Sequence, residues 1–318
     1  EVIQGLDVRP ATGQLYALGI TDDGATRTGR ILTINPTTAA ATPVGAAFSA
    51  TLSDTDFWGF DFNPTVDRIR IVSSTGENLR VNPNNGTLAG TDTNTSITNI
   101  DAVAYDRNVG SALSTLYAYN FSADQLATIG GIDGTPSPNL GVVTNIGASG
   151  IVVNGATNLD IESVTNVARL SASVGGVYNL YTINLVTGAA TLVGAIGTGA
   201  TSIRGLTSAS SAAYLNGTNG DDSITLVQSG ANIVATGVVN GPVSIPIAGL
   251  TGVTVSALGG NDTVTLDFSG GNPFGAISTQ ATSTENVIYT GTAADDTVAI
   301  STIGVNTFTA NFNSAAFL

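Results

Sequence analysis

The sequence predicts an all-β protein, and three observations carry that expectation. Short runs rich in Val, Ile, Leu, Tyr and Thr are punctuated by Gly, Asn and Pro along the chain. Helical periodicity of useful length is absent. The runs recur in sets of four, the mark of a repeat architecture. The fuller expectation is a small β-propeller of four full four-stranded blades plus an incomplete fifth, followed by a β-sandwich or β-solenoid module.

The first set reads GLDVRP, LYALGI, RILTIN, AATPVG. The second reads GFDFNP, RIRIVSS, NLRVN, TLAGTD, and the third AVAYDR, TLYAYN, QLATIG, GVVTNIG. A fourth follows as LDIESV, ARLSAS, NLYTIN, AATLVG, and RGLTSA opens a fifth that stops. A single blade cannot hide both faces, so neighbours must stack, with the opening strand of each set lining the axis. Asp7, Asp61 and Asp160 hold matching places in three opening strands, and Ala104 and Thr207 hold the other two.

Charge divides the chain. Every Arg lies between Arg9 and Arg204, while the sequence after Arg204 carries acids alone. The expected boundary lies in the small-residue stretch ASSAAY, giving residues 1–210 as the propeller-like domain and 211–318 as an acidic β-rich domain. The later runs ANIVATGVV, VSIPIAGL, VTVSAL and ENVIYTG alternate as strands do.

Composition narrows the chemistry. The 318 residues contain no Cys, His or Met, and all nine basic residues are Arg. Disulfides, thiolate nucleophiles, imidazole bases and Lys Schiff bases are therefore excluded. A formal charge of −14 opposes nucleic acid and anionic lipid as partners. No apolar run is long enough to enter a bilayer as a spanning helix, and no signal peptide is visible. Glu1 in place of Met suggests a processed start, and the Gly, Thr, Ser and Asn richness suggests a secreted, abundant product.

Several stretches carry a family resemblance. GLDVRPATGQLYALG, FWGFDFNPTVDRIRIVSSTGENLRVNPNNGTL, VAYDRN, STLYAYN and LYTINLVTGAATLVGAIG resemble the bacterial domain of unknown function number 4394 over about residues 5–209. The resemblance implies a secreted, propeller-like domain and supplies no catalytic residues. Family members carry further strands before the GLDVRP equivalent, whereas only EVIQ precedes it here. The fifth set is then expected to lack partners, and unpaired edges recruit strands.

Within residues 215–300, GTNGDDSITL, ALGGNDTVTL and GTAADDTVAI resemble degenerate Gly-Asp turns of haemolysin-type calcium repeats. That resemblance implies calcium at Asp221, Asp222, Asp262, Asp295 and Asp296. The turns stand 40 and 34 residues apart rather than about nine, so ordinary Asx turns are the structural alternative.

Two further groups invite a functional reading. Asp7, Asp61 and Asp160 could bind a cation or ligand at the propeller mouth, or merely brace turns. Asp61, Asp67, Arg68, Arg70, Glu77 and Arg80 form a charge cluster that reads as a fastening between blades. Its catalytic alternative is a carboxylate pair, Asp61 and Asp67, with an Arg clamping substrate. The expected function is a non-enzymatic, self-associating extracellular or cell-surface subunit of a coat, matrix or filament. Its partners would be other copies of itself, joined by strand complementation, with calcium as the one cofactor implied. The alternatives are a glycan- or ligand-binding module and a carboxylate-dependent glycosidase or lyase.

Overall fold

The structure is a computed structural model. It describes residues 1–22, 24, 27–49, 57–108, 111–163, 165–208, 212–248 and 250–269, and the strands at 284–290 and 307–311. The chain divides into two units. One is Glu1–Arg9, Gln14–Asn108 and Leu113–Ala209; the other is Pro10–Gly13, Val109–Ala112 and Ser210–Leu318.

The first unit is four antiparallel sheets in sequence order. Sheet one runs β1 (Val2–Val8), β2 (Leu15–Asp22), β3 (Arg27–Ile34) and β4 (Ala41–Pro43), with β5 (Phe48–Ser49) also on β3. Sheet two runs β6 (Trp58–Asn63), β7 (Arg68–Ser73), β8 (Asn78–Val81) and β9 (Leu88–Thr91). Sheet three runs β10 (Ile100–Tyr105), β11 (Leu116–Asn120), β12 (Gln125–Ile129) and β13 (Val143–Ala148). Sheet four runs β14 (Asn158–Ile161), β15 (Ala168–Val174), β16 (Val177–Ile183) and β17 (Ala190–Ala195).

The opening strands gather at the centre. β6 packs beside β1 and β10, and β10 packs beside β14. These strands read as near-continuous apolar runs because they are covered on both faces, and every residue of β10 and β11 is buried. Trp58, Phe60 and Phe62 of β6 pack with Tyr16, Ile69 and Ile71, and the Tyr16 and Phe62 rings meet edge to face at 5.2 Å. The arrangement is propeller-like.

Between β14 and β1 lies residues 203–208, which form no hydrogen-bonded strand. Asn158 Nδ2 donates to Ile203 O at 3.1 Å on one side, and Arg204 donates to Gln4 Oε1 at 2.8 Å on the other. Gly205 sits so close to Leu6 that an added Cβ would lie 2.8 Å from its Cγ. One segment of chain, with no sheet behind it among the described residues, thus stands between β14 and β1.

The second unit is built from parallel pairings. β18 (Ala212–Asn216) pairs with β22 (Gly252–Ser256), and β19 (Ser223–Ser229) pairs with β23 (Asp262–Asp267), both parallel. β24 (Thr284–Thr290) and β25 (Thr307–Asn311) extend the parallel stack. β20 (Asn232–Thr236) and β21 (Val243–Pro246) add antiparallel strands on its other side. Successive parallel strands in register are the pattern of a solenoid rather than of a sandwich. Ile224, Leu226, Ile233, Val255, Val264 and Phe268 belong to its apolar core.

Candidate functional site

Asp7, Asp61 and Asp160 come together. Each offers a carboxylate oxygen, and these oxygens lie within 4.8 Å of one another. They are the only group of three acids this close among the described residues. The expectation of a mouth site needs adjustment, because all three are buried, at 7%, 2% and 4% exposure. Strand alternation puts Gly5, Gly59 and Asn158 on the same axial face two residues earlier, and these line a narrow cleft with Trp58, Ala102 and Gly205.

The three carboxylates belong to a repeating inter-sheet pattern. Phe62 N donates to Asp7 Oδ2 at 2.9 Å, Tyr105 N to Asp61 Oδ1 at 2.9 Å, and Ser208 N to Asp160 Oδ2 at 2.9 Å. In each case the donor stands one residue after the matching place in the next element. Thr207 closes the circle: Val8 N donates to its Oγ1 at 3.2 Å, and that hydroxyl donates to Asp7 Oδ1 at 3.0 Å. Ala104, lacking a polar side chain, leaves one link out. Residues 203–208 therefore take part in the same kind of inter-element bonds as the opening strands do.

Burial and mutual repulsion disfavour ionisation here. Burial, then the Asp160 charge, pushes Asp7 up to about 8. Asp61 is held well above the usual carboxylate range by burial and by Asp7. Burial also raises Asp160, against the pull of Ser208 hydrogen bonds. The cluster can accommodate its charge by holding protons or by holding a cation. Three oxygen donors suit a hard cation, with water completing its six to eight ligands in the case of calcium.

The charge cluster at 61–80 does fasten sheets, through partners the sequence reading did not include. Asp67 is ion-paired with Arg9 of sheet one, and Arg9 also donates to Asn84 Oδ1 at 2.7 Å. Arg70 and Arg80 face each other across β7 and β8, and Asp92 bridges them at 2.7 Å and 2.8 Å. Arg70, 2% exposed, also donates to Asn78 and Asn139, and Asn78 Nδ2 donates to Pro138 O. These bonds join sheet two to sheet three. Arg68 donates to the carbonyls of Val66 and Asp67, while Glu77 N donates to Ser73 Oγ. The six residues thus do not form one cluster, and Asp61 and Asp67 serve different partners. Asp92 and the fully buried Asp101 were missed. Asp101 accepts from Thr157 N at 2.8 Å and burial lifts it to about 7.

In the acidic unit two of the three Asp turns stack. Asp222 N donates to Asp262 Oδ1 at 2.8 Å, Asn261 N to Asp221 Oδ1 at 2.9 Å, and Thr218 N to Asp222 Oδ2 at 2.7 Å. These carboxylates brace one turn on the next, as Asx-type acceptors do. Asp295 and Asp296 lie outside the described residues.

Among the described residues no helix is long and apolar enough to cross a membrane. No curated protein matches the chain. A solved structure from Bacteroides thetaiotaomicron, of unknown function, is 16% identical, covers 74% of this chain and 52% of its own, and has a TM-score of 0.36. This chain therefore spans about half the length of that protein. Myxococcus xanthus glutaminyl cyclase is 12% identical, with 61% and 91% covered and a TM-score of 0.33. A Lactobacillus plantarum protein is 11% identical, with 77% and 85% covered and a TM-score of 0.36. Likenesses this distant carry no argument about activity. The repeated sheets and their opening-strand motifs agree with a family match over residues 1–207, and the chain belongs to the family described as Domain of unknown function (DUF4394).

Proposed function

We propose that this chain is a non-enzymatic, extracellular structural or assembly protein of bacteria, a subunit of a surface coat, matrix or filament. The finer architecture is a propeller of five places, four filled by complete blades and the fifth by one inner segment. Neighbouring subunits complete the fifth place by donating strands. The observation that carries this reading is residues 203–208. Among the described residues, no backbone hydrogen bond pairs Arg204–Thr207 with another strand. A sheet edge in that condition recruits strands from outside. Size-exclusion chromatography with negative-stain imaging tests it. Concentration-dependent association supports it, and a monodisperse monomer at high concentration contradicts it.

A second reading, a binding module, is favoured by the axial carboxylates. Calcium is the first ligand to titrate, with a glycan panel beside it and Asp61→Ala as control. The glycosidase or lyase reading has less support, because Arg9 occupies its second carboxylate, Asp67.

A further inference from the structure

The outer strands carry a matched glycine. It follows the bulged residue on β9, β13 and β17, as Gly90, Gly147 and Gly194, and Gly45 stands at the like place after β4. At two of these sites the next sheet lays a turn directly on the glycine. A Cβ on Gly45 would lie 1.8 Å from Asn85 O, and one on Gly147 would lie 2.2 Å from Thr187 O. The contact is reciprocal. A Cβ on Gly86 would meet Val44 O at 1.9 Å, and one on Gly188 would meet Gly147 O at 2.3 Å. Gly90 is instead covered by the guanidinium of Arg80.

Among the described residues, nothing lies within 4 Å of the Cβ that Gly194 would carry. Its neighbours Leu192 and Val193 are each 60% exposed, whereas the matching Val44 and Ile146 are partly buried against their sheet cores. The seat that is filled on sheets one and three is thus open, among the described residues, on sheet four, the sheet that borders the fifth place.

The two occupied seats define what fits. Both turns read Asn-Xaa-Xaa-(Asn/Thr)-Gly, at 82–86 and 184–188. In both the glycine N–H donates to the Asn carbonyl at 2.8 Å, and Gly86 and Gly188 have φ of 70° and 80°. Sheet one carries the same turn at 35–39, with Ala39 N donating to Asn35 O at 2.8 Å and φ of 57°. That turn is exposed throughout, and it differs by one Cβ at the point where backbones must touch. An identical copy therefore seats its own free turn less closely than Gly86 and Gly188 are seated.

Resting on the reading that the fifth place is completed from outside, we infer that the best-fitting donor is a non-identical polypeptide whose outer hairpin seats an Asn-Xaa-Xaa-(Asn/Thr)-Gly turn on Gly194, burying Leu192 and Val193. Ala39 weakens the seating of the chain's own matching turn and so restrains, without abolishing, head-to-tail growth, which would not close into a ring of defined size.

The test uses the full chain and a labelled peptide of residues 78–91, which contains the 82–86 turn. Binding is followed by fluorescence anisotropy. We expect saturable binding, weakened by about ten-fold or more both by Gly86→Ala in the peptide and by Gly194→Val in the chain. Thermal melts check that the Gly194→Val chain is folded. In parallel, Ala39→Gly is expected to strengthen the chain's self-association in sedimentation velocity by about ten-fold, and adding Gly194→Val reverses this. Peptide binding that ignores both glycine changes would overturn the seat while leaving strand acceptance standing. So would an Ala39→Gly chain that sediments like its parent. No peptide binding by a parent chain that stays monomeric at high concentration overturns both the seat and the reading beneath it.

Discussion

The axis and the rim of the first unit obey different rules. At the axis, the backbone N–H groups of Phe62, Tyr105, Ser208 and Val8 donate to the side-chain oxygens of Asp7, Asp61, Asp160 and Thr207 on the neighbouring element. At the rim, among the described residues, a sheet stands behind each of the four opening strands and none behind residues 203–208. The axis is fastened through short polar side chains that reach a neighbour's backbone. The rim is fastened by glycines where backbone lies on backbone, and by Arg9, Arg70 and Arg80 on carboxylates. If the fifth place is completed from outside, as proposed, an axis fastened in this way holds the chain in one arrangement while its rim keeps a place open. The difference teaches that completion and stability are separable here.

The sharpest way to break the rim is at Arg70. Arg70→Leu leaves Asp92, Asn78 and Asn139 without their shared donor in a buried site, and a loss of about 3–5 kcal/mol is expected in urea unfolding. Arg80→Leu, at a side chain 32% exposed, should cost about 1 kcal/mol or less. Equal losses would show that Arg70 is not the central fastening.

Next in size is the pair of matched glycines. Gly147→Ala forces a Cβ toward Thr187 O and is expected to cost about 1–3 kcal/mol. Gly194→Ala meets open space and should stay within about 0.5 kcal/mol of the parent. Like effects at the two positions would mean that Gly194 is covered after all.

The axis makes itself visible through pH. Asp7 and its two neighbours bind protons in the folded state that the unfolded chain has already released above its ordinary 3.8. The folded state thus binds more protons between about pH 4 and pH 8, so stability is greatest at the acid side and declines as pH rises through that window. Asp61→Asn removes one of the repelling charges and keeps an oxygen for Tyr105 N. It is expected to raise the melting temperature at pH 8, by the equivalent of about one pKa unit or 1.4 kcal/mol, with little change at pH 5. A parent profile that climbs from pH 5 to pH 8 in metal-free buffer would count against the cluster as described. Calcium that steepens the gain only at high pH would mark the axis as a cation site.

Smallest is Thr207→Val, which removes the hydroxyl shared by Val8 N and Asp7. About 1 kcal/mol is expected, with faster exchange confined to residues 203–208. A global loss larger than that of Arg70→Leu would make the fifth place the keystone of the whole unit.

Much of this was legible in the sequence, because strands and turns announce themselves locally. Four sets of four runs became four sheets, the first with the short β5 as a fifth strand, and the matching places of Asp7, Asp61 and Asp160 put them on one axis. The partners of the charged residues were not legible. Asp92 lies past the end of β9, and only the β7–β8 register, which sets Arg70 opposite Arg80, requires an acid there. Arg9 and Asp67 are 58 residues apart, and only the packing of one sheet on the next unites them. Asp101 reads as one polar residue in AVAYDR's approach, yet it sits fully buried because Thr157 comes from the neighbouring sheet. The seat at Gly194 was invisible for a related reason. LVGA looks like VTNIGA until the missing neighbour is known.

Amide hydrogen exchange on the purified chain, resolved at residues 203–208, tests the open fifth place most directly. The backbone amides of Arg204 to Thr207 should exchange orders of magnitude faster than those of β6 and β10, although all line the same axis. Protection at 204–207 equal to that of β6, in a sample that is monomeric throughout, would mean the chain already covers this edge itself and recruits nothing.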